Sequence, residues 1–310
     1  MSVDSHPAVA LKGEVVYVDG ILYRVEAIKQ GGMGVVYLLA RCDSRDSIIY
    51  QMRIAAKIFD ELNDGPSPDT VRSELANWLS LKHPHIVELL ALGDLNFHLA
   101  ALMPVAIGSV EDVRCNGPIP MAAAAEISRQ ALRGLHHAWS QHRLLHLDIK
   151  PGNLLTFENA TGRKQVRVSD WGMSVVGGSS SDSPARQRRQ GGTLAYMAPE
   201  RFFRKTEETP ASDIFSLGIT LIQLATNRLP FDLEGDIASQ IVSGAFVQRA
   251  AALLRGIGLH RRAKTAALFL IHPDPTYRIA SHAEAQEALD EIDRNRRWTF
   301  PWTGRRRWSV

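Results

Sequence analysis

The run His146-Leu147-Asp148-Ile149-Lys150-Pro151-Gly152-Asn153-Leu154-Leu155 puts a carboxylate, an ammonium and an amide within one short stretch, and Ser169-Asp170-Trp171-Gly172 adds a second carboxylate downstream. Two acids, an amide and a lysine suit phosphoryl transfer. Asp170 and Asn153 offer the oxygen ligands that hard Mg2+ prefers, Lys150 would neutralise phosphate charge, and Asp148 would accept a proton from a hydroxyl.

Upstream, Lys57 ends the apolar run Ala55-Ala56-Lys57, where an ammonium is costly unless it finds an anionic partner. Glu74, on a predicted helix, is the candidate. An interlobe salt bridge or a snorkelling lysine is the competing reading. The segment Lys29-Gln30-Gly31-Gly32-Met33-Gly34-Val35-Val36-Tyr37 lies between two predicted strands, and its glycines would let backbone N–H groups approach a phosphate without Cβ interference. A glycine-rich hairpin turn explains the same residues, and no helix follows at once as a dinucleotide fingerprint requires.

These groups need elements to position them. From Glu14 to Tyr23, β-formers flank Asp19-Gly20, which suits a type I′ hairpin. Val25 to Leu39 and Ile48 to Phe59 read as further strands, separated by a polar turn from Arg41 to Ser47. Apolar Val71, Leu75, Trp78 and Leu79 share one helical face and predict a helix from Thr70 to Leu81. Met121 to His137, Ser212 to Thr226 and Gln240 to Leu254 read as longer helices. A β-rich first third and a helical remainder predict two lobes with a hinge near Met103 to Gly108, and clefts between lobes are favoured ligand sites.

Composition narrows the class. Of 310 residues, 45% are hydrophobic and 22% charged, which excludes collagen-like, disulfide-scaffold and wholly disordered chains. Cys42 and Cys115 alone build neither a disulfide framework nor a zinc site, so a reducing compartment is expected. The apolar runs Leu99 to Gly108 and Ala263 to Ile271 fall short of the roughly 18 residues of a membrane span, and Met1 to Pro7 lacks a signal-peptide pattern. A cytoplasmic location without a transmembrane segment is the expectation. The net charge of +3 comes from Arg294, Arg296, Arg297, Arg305, Arg306 and Arg307, without which it is −3, and this argues against a nucleic-acid-binding main body.

Taken together, the motifs resemble those of a eukaryotic-type serine/threonine protein kinase, and they occur in that family's order. The glycine loop comes first, then Lys57, Glu74, the run from His146 to Asn153, Asp170-Trp171-Gly172 and Ala198-Pro199-Glu200. His83-Pro84-His85-Ile86-Val87, Ser212-Asp213-Ile214-Phe215-Ser216-Leu217-Gly218 and Asp274-Pro275-Thr276-Tyr277-Arg278 add further matches, so that the resemblance runs from about Ile21 to Ala288. It implies an α+β, bilobal protein kinase fold. A β-rich N-lobe with one main helix would span 21–103, a hinge 104–107 and an α-helical C-lobe 108–292. Residues 1–20 would form an extension with an added strand, and 293–310 a basic, aromatic tail.

The resemblance also implies roles. Gly31, Gly32 and Gly34 would cover the phosphates of ATP, and Lys57 would pair the α/β-phosphates while held by Glu74. Met103 would be the gatekeeper before an adenine-binding hinge of Pro104, Val105 and Ala106, and Val36, Ala55 and Leu155 would sandwich the adenine. Asp148 would orient the hydroxyl, with Lys150 beside the γ-phosphate and Asn153 and Asp170 holding Mg2+, with Mn2+ as the alternative ion. A lysine two residues after the aspartate is the serine/threonine form. Gly192 and Thr193 would face the protein substrate, Thr193 bracing Asp148 and Lys150, and Glu200 and Arg278 would form a structural ion pair. The Gly32-Met33-Gly34-Val35-Val36-Tyr37 loop is similar to bacterial members.

Three departures matter. Lys29 stands where a first loop glycine is usual, which predicts weaker nucleotide affinity. Leu147 replaces the arginine before the catalytic aspartate, removing a charge that would receive a phosphorylated activation loop, so such phosphorylation is expected to matter less. Trp171 replaces the usual phenylalanine and, with Leu89, Trp78 and His146, would make an inner apolar stack whose indole N–H groups need partners.

Lys57, Glu74, Asp148, Lys150, Asn153 and Asp170 are all retained, which favours catalysis over a noncatalytic ATP-binding pseudokinase scaffold. Ser179, Ser180, Ser181 and Ser183 precede Arg186, Arg188 and Arg189, a pattern fitting autophosphorylation or simply a solvated loop. The tail interleaves Trp298, Phe300, Trp302 and Trp308 with arginines, a composition for an anionic partner or membrane surface, or for aromatics packed back on the lobe. A tail-driven interaction module is the third reading.

Overall fold

The computed structural model describes residues 10–31, 34–44, 47–58, 75–176, 194–202 and 208–294. The chain divides into two units. Among the described residues, one runs to Lys82 and resumes over Val87–Val105; the other comprises His83–Ile86 and the chain from Ala106 to Arg294.

In the first unit the β-formers around Asp19-Gly20 fold into the expected hairpin. Both turn residues have positive φ, 49° and 79°, as a type I′ turn requires. The hairpin joins β1 (Val15–Val18) to β2 (Ile21–Gly31) and is followed by β3 (Gly34–Ser44), β4 (Ser47–Ile58), β5 (Ala91–Leu95) and β6 (His98–Pro104). All pairings are antiparallel, in the order β1-β2-β3-β4-β6-β5, and the Val18–Leu95 pair of β1 with β5 closes the barrel. Closure removes the exposed sheet edges. Val16, Val25, Tyr37, Leu39, Ala56, Leu95 and Ala100 fill the unit's apolar core.

Strands β3 and β4 run through most of the stretch expected as a turn, leaving only residues 45 and 46 between them. The polarity of Arg41 and Asp43 marks the strand's outer face, since Cys42 between them is buried. Helix α1 (75–80) buries Leu75 and Trp78 as the spacing predicts, and the expected turns before it, through Glu74, lie outside the described residues.

The second unit is helical, as expected: α2 (Val110–Arg114), α3 (Met121–His142), α4 (Pro210–Thr226), α5 (Ile237–Ser243), α6 (Phe246–Gly256), α7 (Arg261–Leu270) and α8 (His282–Arg294). It also holds the short strands β7 (Gly108–Ser109), β8 (Leu144–Leu145), β9 (Leu154–Glu158), β10 (Lys164–Val168) and β11 (Val175–Val176), paired as β10-β9-β7 and β11-β8. His83–Ile86 joins this unit because its backbone is claimed by β10: Val168 N–H donates to the His85 carbonyl at 2.9 Å and the Gln165 amide donates to the Pro84 carbonyl at 2.8 Å. On α3, Gly134 faces the same segment, where a Cβ would lie 2.6 Å from the His85 carbonyl oxygen.

The helix expected from Gln240 to Leu254 is two helices. Gly244 ends α5 in the left-handed region at φ +71°, and a Cβ there would lie 3.0 Å from Pro273. Apolar periodicity carries through such a break, so the pattern alone reads as continuous. Among the described residues no single helix is long and apolar enough to cross a membrane, and Cys42 and Cys115 are free thiols.

At the start of α8, His282 is buried and meets His136 of α3 edge-on at 5.3 Å. Burial, helped by the neighbouring imidazole, lowers its pKa from 6.5 to about 4. The folded chain therefore binds this proton less readily than the unfolded chain, so the contribution is complete above pH 6.5 and is lost as pH falls to about 4. Relative to His282→Leu, the wild-type chain is expected to lose on the order of 3 kcal/mol of unfolding free energy across that interval, measured by urea denaturation at each pH. Parallel pH profiles for the two proteins would contradict this.

Candidate active site

Strand β9 starts at Leu154, which pairs with Val168 at the end of β10. This register sets Asn153, just before β9, beside Ser169, just after β10. Ser169 donates its N–H and its Oγ–H to the Asn153 carbonyl at 2.9 and 3.1 Å. Asp170 follows at φ 66° and is buried. The loop that carries Asn153 and the loop that carries Asp170 are thus bonded side by side through Ser169.

Asp148 sits at the centre of the same loop, and its carboxylate is fully buried. Its Oδ2 accepts from Lys150 Nζ at 2.9 Å and from Asn153 Nδ2 at 2.8 Å, and Nδ2 also donates to the Asp148 carbonyl at 2.8 Å. Donors placed on a carboxylate fix its plane. Asn153 spends its amide nitrogen on Asp148, which leaves Oδ1 as its donor toward a cation.

The backbone of the loop is held from behind. Asp213, buried and the one acid of α4, accepts the His146 N–H at 2.8 Å and the Leu147 N–H at 2.7 Å. Burial pushes its carboxyl up from the ordinary value against the opposing pull of the His146 ring, these amides and Arg201. His146 Nδ1 accepts the Asp148 N–H at 3.2 Å, which makes Nε2 the protonated nitrogen that donates to the Ser169 carbonyl at 2.8 Å. Leu147 is buried at φ 63°, a conformation costing a non-glycine residue roughly 1–2 kcal/mol that only a rigid setting maintains.

Both indoles of the expected stack find acceptors. Trp78 donates to the Val87 carbonyl at 2.7 Å within the first unit. Trp171 donates to the Val168 carbonyl at 3.3 Å and meets the His146 ring edge-on at 4.8 Å within the second. Glu200 and Arg278 form the expected buried ion pair.

In the first unit, Lys57 is buried and lies opposite Val36 on β3 and Ala101 on β6, while Ala55 lies opposite Met103. Cross-strand partners share a sheet face, and so do residues two apart. Val36, Ala55, Lys57 and Met103 therefore line one face. At the end of that face the Gly31–Gly34 pair closes the glycine hairpin. Gly34 has φ +123°, and a Cβ there would lie 2.3 Å from the Ile58 carbonyl oxygen. Pro104 ends β6 opposite Ile54; Val105 and Ala106 follow it half-buried. Leu155 is half-buried on β9 of the second unit.

Gly32, Glu74, Gly192, Thr193, the serines from Ser179 to Ser183 and the tail residues Trp298, Phe300, Trp302 and Trp308 lie outside the described residues. The sequence reading assigned no role to Asp213 or to Arg201. A lone acid at the head of an apolar helix was the available signal for Asp213; Arg201 gives none.

Comparison with known proteins places this geometry. The protein kinase domain family matches residues 23–290. The serine/threonine-protein kinase PrkC of Bacillus subtilis is 32% identical over 225 residues, covering 71% of this chain and 33% of that protein. The kinase pkn2 of Myxococcus xanthus is 27% identical over 280 residues, covering 87% and 32%. The chain thus spans about a third of the length of these curated relatives. Among solved structures, Rad53 residues 1–466 in complex with AMP-PNP is similar with a TM-score of 0.67 at 23% identity, covering 87% of this chain and 65% of that one. The PknI kinase domain of Mycobacterium tuberculosis has a TM-score of 0.62 at 19% identity, covering 91% and 99%.

Proposed function

Since the chain belongs to the protein kinase family, we propose that it transfers the γ-phosphoryl group of ATP to serine and threonine hydroxyls of proteins. The observation that carries this reading is the buried Asp148 carboxylate, clasped by Lys150 and Asn153 and lying in the same loop pair as Asp170. A scaffold that only bound nucleotide would have no need of this arrangement, because neither Asp148 nor Lys150 is required to hold an adenine.

In this reading the hydroxyl oxygen attacks the γ-phosphorus, the bond from that phosphorus to the β–γ bridging oxygen breaks, and ADP leaves with the electron pair. The hydroxyl proton passes to Asp148, whose plane is already set, so little reorganisation accompanies the step. Lys150 places its ammonium beside Asp148, where it would offset charge on the transferring group. In the first unit Lys57 would meet the α/β-phosphates, and the glycine hairpin would bring backbone amides to them. Val36, Ala55, Met103 and Leu155 would contact the adenine, and Pro104, Val105 and Ala106 would present backbone groups to its edge.

The donor set fits Mg2+. Among the described residues no group of three or more His, Cys, Asp or Glu side chains forms a cage for a metal. The Oδ1 of Asn153 and the carboxylate of Asp170 are instead the small oxygen set that Mg2+ takes when substrate phosphates complete its shell. When bound, the ion would neutralise charge on those phosphates.

The test is incubation of the full chain with γ-labelled Mg·ATP and a mixed protein acceptor, followed by identification of the labelled amino acids. Phosphoserine and phosphothreonine are expected. Label confined to phosphotyrosine would overturn the assigned hydroxyl class.

A further inference from the structure

The geometry points to Arg201 as a positioning residue that sets the catalytic loop through the carbonyl of Leu147. This rests on the phosphotransferase reading above and extends it to how the loop is held without an arginine at position 147. Leu147 cannot contribute charge from its own side chain. Its backbone is nevertheless gripped on both sides: the N–H donates to Asp213 at 2.7 Å, and the carbonyl accepts Nη1 of Arg201 at 2.8 Å. That carbonyl belongs to the peptide leading into Asp148, whose N–H is itself taken by His146. The peptide plane before the reacting carboxylate therefore has both of its polar groups fixed.

Arg201 is built for this role. Its side chain is 6% exposed, and its Nε is paired with Glu208 at 3.0 Å, so the guanidinium is anchored at one end while Nη1 reaches the loop. A planar fork can hold both contacts at once, whereas a lysine has a single nitrogen to share between them. Arg201 directly follows Ala198-Pro199-Glu200 and its partner Glu208 stands two residues before α4, next to the N-cap Thr209, so the guanidinium links the loop to the start of that helix. A permanent cation thus braces, from within the fold, a loop whose own sequence has lost the arginine that a phosphate would engage.

The experiment compares wild type with Arg201→Met, Arg201→Lys and Glu208→Gln in steady-state phosphoryl transfer and in thermal unfolding. Arg201→Met is expected to lower kcat about 10- to 100-fold, the scale of one lost charge-assisted hydrogen bond, with the KM for ATP changed less than about 3-fold. Arg201→Lys is expected to recover part of the lost kcat, and Glu208→Gln to lose less than Arg201→Met. The proposal is overturned if Arg201→Met keeps wild-type kcat. It is also overturned if kcat fails to recover in Arg201→Lys while both variants unfold at the same temperature. Should Arg201→Met not fold, Arg201→Lys decides: a kcat below wild type at an unchanged unfolding temperature is expected, and a kcat equal to wild type would overturn the proposal. Absence of transfer by the wild-type chain would instead defeat the phosphotransferase reading, and is distinguished by that control alone.

Discussion

Asp148→Asn is expected to lower γ-phosphoryl transfer by about 10²- to 10⁴-fold at saturating Mg·ATP, the range for loss of a positioned general base. The substitution preserves shape. In the wild-type chain, Lys150 and Asn153 both donate to Oδ2, so asparagine would present its single oxygen there and put its amide nitrogen where Oδ1 stood. The hydrogen bonds from Lys150 and Asn153 survive, and so does the loop. What would be lost is the ability to take a proton, together with the negative charge that would orient the hydroxyl in the proposed reaction. Initial rates and the KM for ATP, measured beside urea denaturation, separate this from unfolding. A variant within about tenfold of wild-type kcat would show that Asp148 is not the base.

The largest expected effect on stability is at Arg278. All its donors are engaged: Nη1 with Glu200 at 2.8 Å and the Ala211 carbonyl at 3.0 Å, Nη2 with Glu200 at 2.8 Å and the Pro273 carbonyl at 3.1 Å, and Nε with the His272 carbonyl at 2.7 Å. The guanidinium also lies 5.0 Å from the centre of the Phe215 ring. Burial by itself would raise the Glu200 pKa, but hydrogen bonds and charge from Arg278, with a further bond from Ser212, hold it below its ordinary value. Stability from this pair is present above the unfolded carboxyl's pKa and is lost as pH falls through the lower, folded one. Arg278→Met would strand a buried carboxylate and leave three carbonyls short of a donor, so a loss of about 3–5 kcal/mol is expected from urea unfolding at neutral pH. A loss under about 1 kcal/mol would contradict the account.

Much of this was legible in the residues, and the illegible parts have physical causes. The Asp19-Gly20 hairpin, the strands on either side of the glycine loop and the apolar helix from Ser212 follow from local preferences that nothing distant opposes. Asp148, Lys150, Asn153 and Asp170 could be named because their chemistry is bound to short-range spacing. The β9–β10 register that joins Asn153 to Ser169 was not visible, since pairing is a tertiary choice. Nor was the break at Gly244, because hydrophobic period survives a change of helix axis. The assignment of His83–Ile86 to the second unit depends on backbone bonds to β10, which leave no imprint on side-chain pattern. Arg201 was illegible for a similar reason: it acts on a carbonyl, and every residue has one.

Leu147 shows how a departure from the family pattern is absorbed. Losing the arginine removes a charged contact at that position, yet the backbone there remains bonded at both ends, to Asp213 and to Arg201. Its left-handed φ is maintained by those bonds. None of these backbone bonds depends on the side chain at position 147, and the Asp148 carboxylate keeps its donors.

The most direct test of the central claim is a paired measurement on one preparation: transfer of labelled γ-phosphate from Mg·ATP to protein, and the thermal shift induced by the same nucleotide, in wild type and Asp170→Ala. Transfer and a nucleotide-dependent rise in Tm are predicted for wild type, with transfer abolished in Asp170→Ala. A clear rise in Tm with no transfer to any acceptor, in wild type and variant alike, would contradict the kinase reading and leave a nucleotide-binding scaffold in its place.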